Sequence, residues 1–209
     1  MHQLLCLPIE FYKREFLARL HLALIACKDN YQVLIGQQNE YTFKHVKDGI
    51  IFHKDHAPSS EWTFEKYKKN RMKTCALDEE ALIIIDLETY IHTRVSAKLM
   101  ENLDAIFLWG QNHYNNLQPY KRKPNLYIVG SPKFDLCELE RDKFKVPSNS
   151  KIKNILINTR FTYNNTFRHG DNAVYNQFIE MGYFRNEEKR KSYKELYKSE
   201  VKIFNEFVK

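Results

Sequence analysis

The chain has 209 residues, 43% hydrophobic and 28% charged, with 33 Lys and Arg against 26 Asp and Glu for a net charge of +7. That length holds one large domain or two small ones with a real core, and the composition is that of a soluble globular protein. No apolar run approaches the ~20 residues of a membrane span, and the N-terminal stretch is broken by Pro8 and Glu10 without a basic leader, which reads as cytoplasmic rather than exported.

In chain order, residues 3–8 form a buried strand closed by Pro8. Residues 13–28 are helical: Phe16, Leu17, Leu20, Leu24 and Cys27 recur at three- and four-residue steps and make the inward face, while Arg14, Arg19 and Lys28 lie elsewhere. Asp29-Asn30 ends that helix and residues 31–36 are the next strand, completing a βαβ unit with the usual right-handed crossover. Further strands are expected at 49–52, 73–77, 105–109 and 126–129, with helices at 62–71, 87–101 and 111–118. These strands are continuous apolar runs, so the sheet is mostly parallel and covered by helices on both faces. A short helix spans 133–142. Residues 1–145 thus form an N-terminal Rossmann-like α/β domain, and 146–152, carrying Pro147, a linker. Residues 153–158 open a new strand, 162–166 a polar loop and 186–209 a long charged helix. The segment 153–209 is the start of an incomplete second α/β domain.

In parallel α/β sheets ligands bind where the strands end at their carboxyl edge, which singles out three places. Leu7-Pro8-Ile9-Glu10 leads into Arg14 near the opening of the first helix. Glu10 is there either a general base or acceptor contact with Arg14 clamping an acidic group, or a helix-start carboxylate with a solvated partner. Asp78, Glu79 and Glu80 follow a strand directly; three like charges repel unless a cation or substrate hydroxyls offset them, or Asp78 simply caps a following helix. Gly130-Ser131-Pro132 turns the chain after the last strand, where glycine lets a backbone or ligand approach closely.

Other chemistry is poorly represented. Cys6, Cys27, Cys75 and Cys137 have no CxxC spacing and read as reduced buried thiols. The histidines lack HExxH spacing, the pair His53 and His56 reads as part of a loop, and no metal site is expected. The absence of GxSxG, GxxxxGKS/T and GxGxxG argues against α/β-hydrolases, P-loop NTPases and dinucleotide dehydrogenases. The basic run from Lys66 to Lys73 suits peripheral contact with anionic lipid at the inner face of a membrane; without an RRM or HTH element, nucleic acid is not an expected partner.

Read in order, Leu7-Pro8-Ile9-Glu10, Arg14-Glu15-Phe16-Leu17-Ala18-Arg19-Leu20, Val33-Leu34-Ile35-Gly36, Ala76-Leu77-Asp78-Glu79-Glu80, Trp109-Gly110, Val129-Gly130-Ser131-Pro132-Lys133-Phe134-Asp135 and Ile155-Leu156-Ile157-Asn158-Thr159 resemble the surface carbohydrate biosynthesis family of bacterial polysaccharide loci. The Val-Gly-x-Pro-x-Phe-Asp element also resembles the turn that ends the first domain of GT-B glycosyltransferases such as the Kdo transferases, with Ser131 where Asn is usual; Ala81 stands where the family often has Gly. The resemblance implies two facing Rossmann-like domains, the first binding a glycan or lipid-linked acceptor and the second a nucleotide-activated sugar. No cofactor beyond that donor is implied. Glu10, Asp78 and Glu79 would be catalytic, and Arg14, Glu80, Gly130 and Ser131 would bind substrate. The Arg-Pro-His-Pro-like stretch of relatives is missing, so the chain reads as truncated and catalytically doubtful. A sugar-nucleotide epimerase, or a non-catalytic module binding glycan or a partner domain, are the alternatives.

Overall fold

The computed structural model describes residues 3–39, 42–84, 86–144, 173–180 and 186–207. The chain divides into two compact units, residues 1–145 and 146–209. The first contains β1 (Leu4–Ile9), α1 (Tyr12–Lys28), β2 (Gln32–Gln37), β3 (Ile50–His53), α2 (Glu61–Lys69), β4 (Lys73–Leu77), α3 (Leu87–Arg94), α4 (Ala97–Asn102), β5 (Ala105–Leu108), α5 (Gln111–Leu117), β6 (Asn125–Ile128) and α6 (Pro132–Glu140). The strands form one six-stranded sheet in the order β2-β1-β3-β4-β5-β6, and every pairing is parallel. This is the expected Rossmann-like α/β architecture.

Side chains alternate between two cores. Cys6, Ile51, Ala76, Ile106 and Leu108 pack with Phe64, Tyr67, Tyr90, Leu99, Met100 and Leu117 from α2 to α5. Leu7, Phe52, Cys75 and Leu77 point to the other face, where they meet Ala23 of α1 with Leu22, Val33 and Phe107 around them. Burial on both faces is why these strands carry unbroken apolar runs.

The inward face of α1 is not the one its spacing predicts. Its buried residues are Glu15, Ala18, Arg19, Ala23 and Ala26, whereas Leu17 and Leu24 are 63% and 57% exposed and Cys27 is also exposed. The alanines let the helix backbone lie close to the sheet, and bulkier leucines at those positions would hold it away. Pro8 lies inside β1 rather than closing it. It pairs with Gly36 of β2, while the β3 ladder involves only Leu5 and Cys6, so its missing N–H costs β3 no bond there. The helix expected over 87–101 is two helices. Val95 makes a bridge to His56, and Ser96 caps α4 by accepting the Leu99 N–H at 3.0 Å. Asn30, with φ of 64°, ends α1 as expected.

In the second unit the described residues comprise α7 (Ala173–Glu180) and α8 (Glu187–Phe207). Asn186 Oδ1 accepts the Lys189 N–H at 2.7 Å, which caps the predicted charged helix at its N-terminus. The rings of Phe178 and Tyr193 meet edge-on at 6.2 Å. The predicted linker, the strand over 153–158 and the loop over 162–166 lie outside the described residues. Among the described residues no helix is long and apolar enough to cross a membrane.

Candidate active site at the strand tips

Because all six strands run parallel, Glu10, Lys54, Asp78, Trp109 and Gly130 emerge at one edge of the sheet. The chain leaves β1 for β2 on one side and reaches β3 on the other. The gap between the β1 and β3 tips is therefore a topological switch point, where open α/β sheets leave a crevice. A groove of about 750 Å³ lies there, within the range of small-molecule sites. Glu10, Lys54 and Asp55 from the strand tips and Arg94 of α3 line it, and Trp62, Lys66 and Lys69 of α2 line one wall.

Glu10 is the most open of the acids expected to be catalytic, with 39% of its side chain exposed. Its carboxylate pairs with Lys54, and the Arg14 guanidinium stands 3.8 Å away. Its backbone N–H donates to Glu15 Oε2 at 2.8 Å, while Arg14 donates to Glu15 Oε1 at 3.1 Å. Burial raises the Glu15 carboxyl, but these donors and the nearby Lys54 charge outweigh it and hold the group below its ordinary value. A fully buried carboxylate thus anchors the loop that carries Glu10.

The acids after β4 are neutralised from within the protein. Asp78 is fully buried and bound by Arg94, whose Nε lies 3.2 Å from Oδ2; Arg94 Nη1 also reaches Glu80 at 3.3 Å. Glu79 sits between Lys133, at 2.5 Å, and Arg19, at 3.1 Å. Three cations therefore offset the repulsion among three adjacent carboxylates. No helix follows directly: Asp78 Oδ1 accepts the Glu80 N–H at 3.2 Å within a turn, instead of capping a helix. Arg14, Lys54, Glu79, Glu80, Arg94 and Lys133 surround a small cavity of about 50 Å³.

Arg19, expected away from the core, is 2% exposed, with its guanidinium 4.7 Å from the Phe52 ring centroid. Burial pulls it below its ordinary value, opposed by the charges of Glu79 and Glu15. The approach to Glu79 is within ion-pair range, yet Arg19 Nη2 makes no well-aligned hydrogen bond, so the attraction is chiefly coulombic.

Polar side chains continue beneath the site. Tyr90 Oη lies 3.0 Å from His113 Nε2, and burial together with the adjacent Asp78 raises the phenol strongly. Trp109 Nε1 donates to the Asp78 carbonyl at 2.6 Å. His53 ends β3 and His56 forms a bridge, so the pair expected in a loop is built into the sheet edge and fully buried. His56 Nδ1 meets the Arg94 carbonyl at 2.8 Å.

Gly130 has φ of 77°, a conformation that favours glycine, and open space stands where a side chain would be. Ser131 is buried; its hydroxyl accepts the Lys133 N–H at 3.4 Å and caps α6. Both shape the turn that delivers Lys133 to Glu79. Among the sequence-selected residues, Glu10 and Arg14 meet beside the groove, Asp78, Glu79 and Glu80 form the adjoining cluster, and Gly130 and Ser131 support it from the next strand. Sequence reading missed the roles of Arg19, Lys54, Arg94 and Lys133. For Arg19 a signal was present in the flanking Ala18, Ala23 and Ala26, a small-residue stripe that marks close packing.

Among the described residues no group of three His, Cys, Asp or Glu side chains could hold a metal ion. No family model, no curated protein and no solved structure matches this chain.

Proposed function

We propose that the first unit is the acceptor-binding part of a GT-B-type glycosyltransferase of surface polysaccharide synthesis, one that uses a nucleotide-activated sugar. The observation that carries this reading is the position of Glu10: a half-open carboxylate at the tip of β1, at the switch point and on the rim of the groove. In transfer, the acceptor hydroxyl oxygen bonds to the anomeric carbon of the donor sugar, the bond to the nucleotide breaks, and the hydroxyl proton passes to Glu10. Lys54 and Arg14 position that carboxylate. Asp78 and Glu79, held by Arg94, Arg19 and Lys133, lie beside the groove outside its lining and are less suited to act as bases.

Titration of the whole chain with oligosaccharides cut from bacterial capsule and O-antigen tests this, followed by NMR shifts of groove residues. Binding that shifts Trp62 and weakens in Glu10→Gln supports the acceptor role. Binding of nucleotide sugars in the groove, with no oligosaccharide binding, overturns it. A non-catalytic glycan-binding module is the second reading, favoured by the pairing of Asp78 and Glu79 within the protein. Sugar transfer by the intact chain excludes that alternative.

A further inference from the structure

The groove has a charge imbalance that the cluster beside it lacks. Around the acids after β4, each carboxylate has its cation. The groove itself is lined by Lys44, Lys54, Lys66, Lys69 and Arg94 against only Glu10 and Asp55 among the described residues. Both acids are already engaged. Glu10 pairs with Lys54. Asp55 accepts the Ser60 hydroxyl at 2.6 Å and the Ala57 N–H at 3.2 Å. Burial raises the Asp55 carboxyl, but the His53 charge, these donors and Arg94 together keep it below its ordinary value.

The surplus therefore lies on the outer wall, at Lys44 and Lys69. That wall is tied together: the Asn70 side chain donates to the Lys44 carbonyl at 3.0 Å, joining the turn after β2 to the end of α2. The Lys66 ammonium stands 4.1 Å over the Trp62 ring, which is half exposed and flanks the same space. Lysines around a concavity, beside an aromatic surface, suit a compact dianion attached to a ring-sized group.

We infer that the groove holds a phosphate or pyrophosphate on a sugar-sized ligand, with Lys44 and Lys69 gripping the phosphate and Trp62 bordering the sugar. This deepens the acceptor reading and rests on it for the sugar, while the phosphate site stands on the groove's own charge.

Calorimetric titration of the full chain with inorganic pyrophosphate tests the site, alongside sedimentation with phosphatidylcholine vesicles made with and without phosphatidic acid. The expected result is saturable pyrophosphate binding that weakens with salt and falls about tenfold in Lys44→Gln/Lys69→Gln. Lys121→Gln, an exposed lysine outside the groove, leaves it unchanged. All three side chains are exposed, so these variants retain the fold. Pelleting with phosphatidic acid that pyrophosphate competes away assigns the phosphate to a lipid-borne ligand; pyrophosphate binding without pelleting assigns it to a soluble one. No saturable heat, equal loss in Lys121→Gln, or pelleting that pyrophosphate does not compete overturns the proposal. Pyrophosphate binding without oligosaccharide binding removes the acceptor reading and leaves this site standing, and the reverse result removes this site alone.

Discussion

Arg19 Nη2 lies 3.1 Å from Glu79 Oε1, joining the middle of α1 to the tip of β4 in a place almost closed to water. Neither residue has a cheap alternative. Arg19 cannot reach solvent, and Glu79, 11% exposed, would keep only Lys133. Removing one partner of such a pair leaves a buried charge behind, whereas removing both does not.

Arg19→Met is therefore expected to destabilise the first unit by about 3 kcal/mol, and Glu79→Gln by a comparable amount. The double variant Arg19→Met/Glu79→Gln should recover a large part of that loss. Urea unfolding of the four proteins closes the cycle. Strictly additive losses would mean that the two groups do not interact.

The orientation of α1 makes a second prediction. Leu24 is exposed and Ala23 is packed against Leu7, Phe52 and Leu77. Leu24→Lys should change stability by no more than about 0.5 kcal/mol. Ala23→Leu should cost about 1–3 kcal/mol through overpacking. A large loss from Leu24→Lys would restore the face suggested by leucine spacing.

His113 gives stability a pH dependence. Burial, with the nearby His56 charge, lowers its imidazole from 6.5 to about 4. Between those values the unfolded chain binds the proton and the folded chain does not, so stability rises with pH. The contribution is fully present above pH 6.5 and is lost as pH falls toward 4, by roughly 3 kcal/mol. Buried His53, also lowered by burial, acts in the same direction. Urea midpoints between pH 7.5 and 4.5 should fall with acid, and His113→Gln should flatten part of that slope. An unchanged slope would show that His113 titrates normally.

The cysteines separate into two classes, contrary to the four buried thiols that their contexts suggest. Cys6 and Cys75 are buried, and burial raises their thiols to about 11 and about 12. Cys27 and Cys137 are exposed. Iodoacetamide at pH 8 should modify Cys27 and Cys137 in the native chain and reach Cys6 and Cys75 only in urea. Peptide mapping by mass spectrometry reads the result directly.

Strand positions were legible from the residues alone, because a parallel strand covered on both faces carries an apolar run, as in Ile50-Ile51-Phe52 of β3 and Ala105–Leu108. Once those runs were placed, Glu10 and Asp78 had to stand at strand ends, so the neighbourhood of the site was legible as well. Only the tertiary structure decided which face of α1 turns inward, since close approach to the sheet favoured Ala18, Ala23 and Ala26 over the leucines. It alone decided the strand order that opens the groove between β1 and β3. It also decided the partners: Arg19 with Glu79, Arg94 with Asp78 and Lys54 with Glu10 are far apart in the chain. Local patterns record which residues are apolar and how they repeat. They carry no record of which distant charge will be brought within 4 Å, and at these strand tips that pairing separates a half-open carboxylate from those held inside the protein.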